Sequence, residues 1–231
     1  MSDTNRGKIK YSPSMMCADY INLKDELDVL VSQHTDMLHI DIMDGKYVPN
    51  FNLCQSLGYQ MQAYSGIPLD FHLMVDQVDQ VFELFAQRAG NYISFHPETS
   101  WHPLRTIQKI RELACKPSIA ISPAVSLTSI EHLLGSVDMV CMMTVNPGFA
   151  GQKLIPLCLD KISEVAKWRR KNDANFLIEV DGNVSWENIP KMLSAGADVL
   201  VLGTSSVFNQ KEDRNNSYKK LNQLIKQHFN A

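Results

Sequence analysis

Eight short runs of apolar and β-branched residues recur along the chain, at Ile9–Met16, Met37–Met43, Leu69–Val75, Tyr92–Pro97, Pro117–Pro123, Met139–Val145, Phe176–Gly182 and Val199–Thr204. Most run at their C-terminal ends into Pro, Gly, Asp or Ser, and the segments between them carry helical periodicity. A repeated strand-plus-helix unit excludes sandwiches and bundles, and leaves parallel sheets covered by helices. Val78, Phe82, Phe85 and Ala89 form an apolar stripe in the third unit, as do Leu159, Ile162, Val165, Ala166 and Trp168 in the sixth. Tyr218, Leu221, Leu224, Ile225 and Phe229 give the last helix, expected to close a ring. The 231 residues divided by eight give about 29 per unit, the usual size in a (β/α)8 barrel. The first turn, SPSMMCADY, has no glycine, which argues against the dinucleotide fingerprint of a doubly wound sheet. The expected fold is a single (β/α)8 TIM barrel over residues 8–231, after a polar tail at 1–7.

Composition narrows the partners. The chain has 22 basic and 25 acidic residues, a net charge of -3, so no general attraction to nucleic acid or to an anionic membrane is expected. An anionic ligand has to be held locally. The start of the chain, MSDTNRGK, lacks the hydrophobic segment of a signal peptide, and no run approaches the roughly 20 apolar residues of a membrane span. Cys17, Cys54, Cys115, Cys141 and Cys158 are odd in number and never form C-x-x-C. They read as reduced thiols, and the expected location is the cytoplasm.

In such a barrel chemistry belongs at the strand C-termini. Side chains alternate along MLHIDIMDG, so His39, Asp41 and Met43 share the inner face while Leu38, Ile40 and Ile42 face the helices. His72 in LDFHLMV and Asp181 at the end of IEVDG point to the same cavity. One such histidine alone would read as a hydrogen-bonded core residue. Two imidazoles and two carboxylates together are best satisfied around a divalent cation, with Zn, Mn, Fe and Co all compatible with the N/O donors. On the opposite side, NPGFAGQK, DGNVS and GTSSVF follow strands 6, 7 and 8 and suggest a cradle of backbone amides for phosphate. Met43, Met74, Met142 and Met143 read as core residues that give the site an apolar floor if they face the mouth. His96 in HPET is read as lining the pocket or bonded to backbone; His34, His102, His132 and His228 are read as solvated, and Asp44 as turn chemistry.

The segments SPSMMCADY, HIDIMDGKYVPN, FHLMV, MTVNPGFAGQ, EVDG and GTSSVF resemble, in order, those of the ribulose-phosphate 3-epimerase family. The resemblance implies a ribulose-phosphate binding barrel, a divalent metal on His39, Asp41, His72 and Asp181, and inversion at carbon 3 of a ketose phosphate. Asp41 and Asp181 would serve as the paired acid and base. Ser14, His72, Gly148, Phe149, Ala150, Gly151, Asp181, Gly182, Asn183, Gly203, Thr204 and Ser205 would contact substrate. Ala150 and Asn183 stand where the commonest pattern has glycine, and Thr204 where it has serine. With HPET and GTSxxFN, these departures are similar to the allulose-6-phosphate 3-epimerase branch, and imply D-allulose 6-phosphate before D-ribulose 5-phosphate. The resemblance also implies a homo-oligomer, with Tyr47, Phe51 and Trp101 as candidate contacts. Three other classes compete: a metal-free decarboxylase, which needs the lysine of D-x-K where Met43 stands; a metal-dependent hydrolase; and a non-catalytic phosphosugar binder.

Overall fold

The computed structural model describes residues 9–230; the tail expected at 1–7 lies outside them. Eight strands, β1 (Lys10–Pro13), β2 (Leu38–Met43), β3 (Leu69–Met74), β4 (Tyr92–Phe95), β5 (Lys116–Ile121), β6 (Met139–Met143), β7 (Leu177–Asp181) and β8 (Val199–Leu202), form one sheet. All neighbours are parallel, in the order β1-β8-β7-β6-β5-β4-β3-β2. A single parallel bridge from Ser14 to His39 links the two ends of that order. The architecture is the expected TIM barrel. Among the described residues no helix is long and apolar enough to cross a membrane.

Among the described residues seven α-helices surround the sheet: α1 (Leu23–Ser32), α2 (Gln55–Ser65), α3 (Pro103–Glu112), α4 (Leu127–Ile130), α5 (Leu157–Lys171), α6 (Ile189–Ala195) and α7 (Arg214–Asn230). Helix α5 buries Ile162, Val165 and Ala166 on one face and ends in Arg169, Arg170 and Lys171, whose charges suit its C-terminal dipole. Helix α7 buries Tyr218 and Leu221, and Arg214 grips Glu26 of α1 with two bonds of 3.0 and 2.9 Å, joining the last helix to the first. Leu224 and Ile225 also pack on the core, but Phe229, expected on that stripe, is exposed.

The third unit departs from expectation. Its stripe forms two 3-10 turns, Val78–Gln80 and Phe82–Phe85, instead of an α-helix. Gln77 leads in with a left-handed φ of 54°, and Asp79 accepts bonds from Ser100, Trp101 and Thr106, which tether the segment to the chain after β4. Val78, Phe82 and Phe85 are buried as expected, whereas Ala89 is exposed and Ala86 takes its place. Seven of the strands also stop one to three residues before the ends read from sequence, while β2 ends at Met43 as expected; the terminal residues of the seven turn out of the ladder to build the mouth.

Between sheet and helices the core is apolar, with Leu38, Ile40, Leu69, Phe71, Ile93 and Ile178 fully buried; truncating one to alanine costs about 2–5 kcal/mol. The inside of the barrel is layered. Met37, Tyr92, Met139 and Val199 plug it at the N-terminal end of the strands. Above the plug the inner faces of several strands are polar and still sealed: Ser12, His39, Asp70, Ser94, Ser118 and Glu179 have no exposed surface.

Candidate active site and metal centre

At the C-terminal end of the strands His39, Asp41, His72 and Asp181 converge, each offering one ligand atom, with all four atoms within 4.8 Å of one another. His39 Nε2 lies 3.3 Å from Asp41 and 4.0 Å from Asp181. His72 Nδ1 lies 3.4 and 3.7 Å from the same carboxyls. Both nitrogens are buried and have no hydrogen-bond partner. Two lone pairs aimed at two carboxylates make a donor set that a divalent cation fits, since His39 uses its other nitrogen, Nδ1, to bond Asp70 at 2.6 Å.

The electrostatics of the carboxyls diverge. Burial disfavours charge on Asp41, but His39 and His72 override it and hold the carboxyl well below the usual range. Ser14, at the Ser14–His39 bridge, donates to its Oδ2 at 2.8 Å. Asp181 moves the other way, pushed up by burial and by the Asp41 charge against the pull of His39. On His39 burial opposes the imidazolium, and Asp41 and Asp70 outweigh it, raising its proton affinity well above the histidine norm.

A cleft of about 560 Å³ of non-atom space, open solvent at its mouth included, rises above these groups. Ser14, Gly148, Phe149, Ala150, Gly151, Asp181, Gly182, Asn183, Gly203, Thr204 and Ser205 all line it. Of the expected substrate contacts only His72 does not, being fully buried below. Met43, Met74 and Met143 form the apolar floor; Met142 faces the outer core. Two glycines of the cradle have no substitute. A Cβ on Gly182 (φ 107°) would lie 2.6 Å from Val145, and one on Gly148 (φ 115°) 3.0 Å from Val48. Asn183, itself left-handed at φ 43°, donates to the Gln152 carbonyl at 2.7 Å and reaches Ser205 Oγ at 3.5 Å. Its side chain therefore ties the loops after β6, β7 and β8 together.

The sequence model of the ribulose-phosphate 3-epimerase family matches residues 10–208. This chain belongs to that family. It is 36% identical to ribulose-phosphate 3-epimerase of Buchnera aphidicola subsp. Schizaphis graminum over 220 residues, 95% of this chain and 96% of that one. It is 41% identical to ribulose-phosphate 3-epimerase 1 of Cupriavidus necator over 204 residues, 87% and 84% of the two chains. Among solved structures, 3-hexulose-6-phosphate synthase from Salmonella typhimurium superposes with a TM-score of 0.67 at 18% identity, covering 95% of this chain and 100% of that one, a likeness of fold. The epimerase is an isomerase by family.

Two buried groups of this epimerase escaped the sequence reading, and a third, His96, sits elsewhere than that reading put it. Asp70 sits behind His39, and Ser12 donates to it at 3.0 Å. Burial opposes the Asp70 charge, but His39 outweighs it and keeps the carboxyl ionised. Glu179 lies 3.9 Å from His39; burial and the Asp70 charge raise its proton affinity well above the carboxylate norm. The signal was present, because alternation puts Asp70 on the face of His72 and Glu179 on that of Asp181. His96 is the third. It neither lines the cleft nor bonds backbone through its ring; that ring is sealed between His72 and Ser122. His34, His102 and His132 are exposed and His228 half-buried. Asp44 caps its turn, accepting from Lys46 and Tyr47. Phe51 and Trp101 are 76% and 75% exposed, whereas Tyr47 is half-buried and bonded to Glu98.

Proposed function

We propose that this chain inverts carbon 3 of a ketose phosphate, interconverting D-ribulose 5-phosphate and D-xylulose 5-phosphate. The observation that carries the reading is the convergence of Asp41 and Asp181, two carboxyls of opposed proton affinity, with two histidines at one cleft. The names of the relatives support the five-carbon substrate.

In this reading the ionised Asp41 takes the carbon-3 proton on a carboxylate oxygen. The C–H pair becomes the carbon 2–carbon 3 double bond of an enediolate, and the carbonyl pair moves onto the carbon-2 oxygen. The protonated Asp181 returns a proton to carbon 3 on the other face, and the roles exchange in reverse. Ser14 keeps Asp41 oriented through its 2.8 Å bond. A divalent ion (Zn, Mn, Fe or Co), held by His39, Asp41, His72 and Asp181, supplies positive charge against the negative charge that develops as the proton leaves. The methionine floor limits water access to carbon 3, and the loops carrying Gly148, Gly151, Gly182 and Gly203 bind the phosphate through backbone N–H groups. With a net charge of -3, that local cradle is what attracts the anion.

A second reading, D-allulose 6-phosphate to D-fructose 6-phosphate, rests on Ala150, Asn183 and Thr204, all of which line the cleft. Proton-exchange NMR at carbon 3 on metal-defined protein, with both ketose phosphates, tests the whole reading. Exchange with inversion and the higher kcat/KM on ribulose 5-phosphate is expected. A higher kcat/KM on allulose 6-phosphate transfers the assignment to the second reading, and binding of either sugar without exchange makes the protein a phosphosugar binder. A cytoplasmic setting belongs to the proposal, supported by five cysteines without disulfides, as does self-association through the exposed Phe51 and Trp101.

A further inference from the structure

The two histidines of the cluster present different nitrogens to it, Nε2 from His39 and Nδ1 from His72. An imidazole can give one nitrogen to a cation only if its ring proton is on the other. For His39 the buried carboxylate of Asp70 accepts that proton. For His72 the nitrogen to be protonated is Nε2, and its neighbour, 3.0 Å away, is Nε2 of His96.

His96 can accept only if its own proton is on Nδ1. That atom lies 3.2 Å from Ser122 Oγ and 3.7 Å from Glu98 Oε1. Tyr47 closes the string: its hydroxyl donates to Glu98 at 2.8 Å and lies 3.2 Å from Ser122 Oγ, while its ring packs on His96 at 4.7 Å. The His72 ring centroid is 5.1 Å from that of His96. His96 is fully buried and held by the Tyr47 ring and by partners on both ring nitrogens, and each link of the string leaves the next one proton placement.

We propose that His96 is a positioning residue, accepting the Nε2–H of His72 and thereby leaving the His72 Nδ1 lone pair to a divalent cation. This rests on the metal-dependent reading above. The string runs through four strand ends, so the tautomer of a group below the cleft is set by Tyr47, on the loop after β2, and by the segments after β4 and β5. A neutral acceptor serves His72 where a carboxylate serves His39.

The test is a Co(II) titration of metal-free parent, His96→Phe and His96→Gln, followed by the visible absorption of the ion. Phenylalanine keeps a ring and removes the acceptor, while glutamine restores an acceptor oxygen. Loss of the orienting partner weakens metal binding by about 10–100-fold in His96→Phe, with most of the affinity regained in His96→Gln. At saturating Co(II) the KM for the ketose phosphate stays near the parent value. Equal affinity in parent and His96→Phe overturns the inference, and so does a His96→Gln no better than His96→Phe, since packing would then be the whole role. A parent that binds no Co(II) instead sinks the metal-dependent reading, and the inference with it. If His96→Phe does not fold, long-range 1H–15N correlation on the Zn(II)-loaded parent decides: a His72 proton on Nε2 supports the assignment, and one on Nδ1 rejects it.

Discussion

His39 divides the barrel interior into two acidic regions. On its mouth side Nε2 faces Asp41 and Asp181, at 3.3 and 4.0 Å; on its inner side Nδ1 meets Asp70 at 2.6 Å and Glu179 at 3.9 Å. The mouth region opens to the cleft, with the Asp181 side chain 17% exposed, and leaves His39 Nε2 and His72 Nδ1 without partners. The inner region has no exposed surface, so its charges answer only to one another. There His39 holds the Asp70 carboxyl ionised through its 2.6 Å bond, while Glu179, its proton affinity raised by burial and the Asp70 charge, has neither carboxyl oxygen hydrogen-bonded. Similar residues, two of them (Glu179 and Asp181) on one strand, thus sit in different surroundings. The mouth pair opens to the cleft, while in the inner region Asp70 is spent on orienting an imidazole.

The largest effect that would separate the regions is on proton transfer. Asp41→Asn or Asp181→Asn removes a proton-transfer group, and turnover measured by carbon-3 deuterium exchange should fall by about 10²–10⁴-fold. A mild loss from both would end the two-carboxyl proposal. Chelation comes next: removing divalent ions should abolish exchange, with recovery on adding Zn, Mn, Fe or Co. Asp70→Asn acts one step further back, on the orientation of His39, and metal affinity should drop by about 10–100-fold, read from a Co(II) titration. If Asp70→Asn instead matched Asp181→Asn in residual rate at saturating metal, the two regions would not be distinct.

Glu179→Gln sharpens the contrast through pH. A carboxyl with raised folded-state pKa stabilises the fold fully below its unfolded value of 4.5, and that contribution is lost as pH climbs through the folded pKa. The glutamine variant lacks this loss, so its Tm relative to the parent should rise between pH 5 and pH 8 in metal-free protein. A difference independent of pH would mean that Glu179 is ionised in the fold. The smallest effect belongs to the cradle. Asn183→Gly deletes the bonds joining three loops and should raise KM about 2–10-fold with little change in kcat; an altered preference between five- and six-carbon ketose phosphates would connect this position to chain length.

Much of this was legible in one dimension. Period-two alternation in MLHIDIMDG placed His39 and Asp41 inside, and the glycines of NPGFAGQK and DGNVS marked a cradle of backbone amides. The same alternation in LDFHLMV, IEVDG and YISFHPET points Asp70, Glu179 and His96 inward. It assigns a face but no depth, so it does not separate the sealed layer from the mouth. The third unit misled for a related reason. The spacing of Val78, Phe82 and Phe85 suits a helix or a pair of 3-10 turns, and the choice fell to Asp79, whose partners follow the next strand.

The sequence by itself determined the eightfold repeat, the inner face of each strand and the residue types at the mouth, because these follow from local periodicity. Tertiary structure decided which nitrogen of each histidine meets the carboxylates, which acids open to the cleft and which are sealed. Those properties depend on distances of 3–4 Å between strands far apart in the chain, and on one acidic region being sealed while the other opens to the cleft.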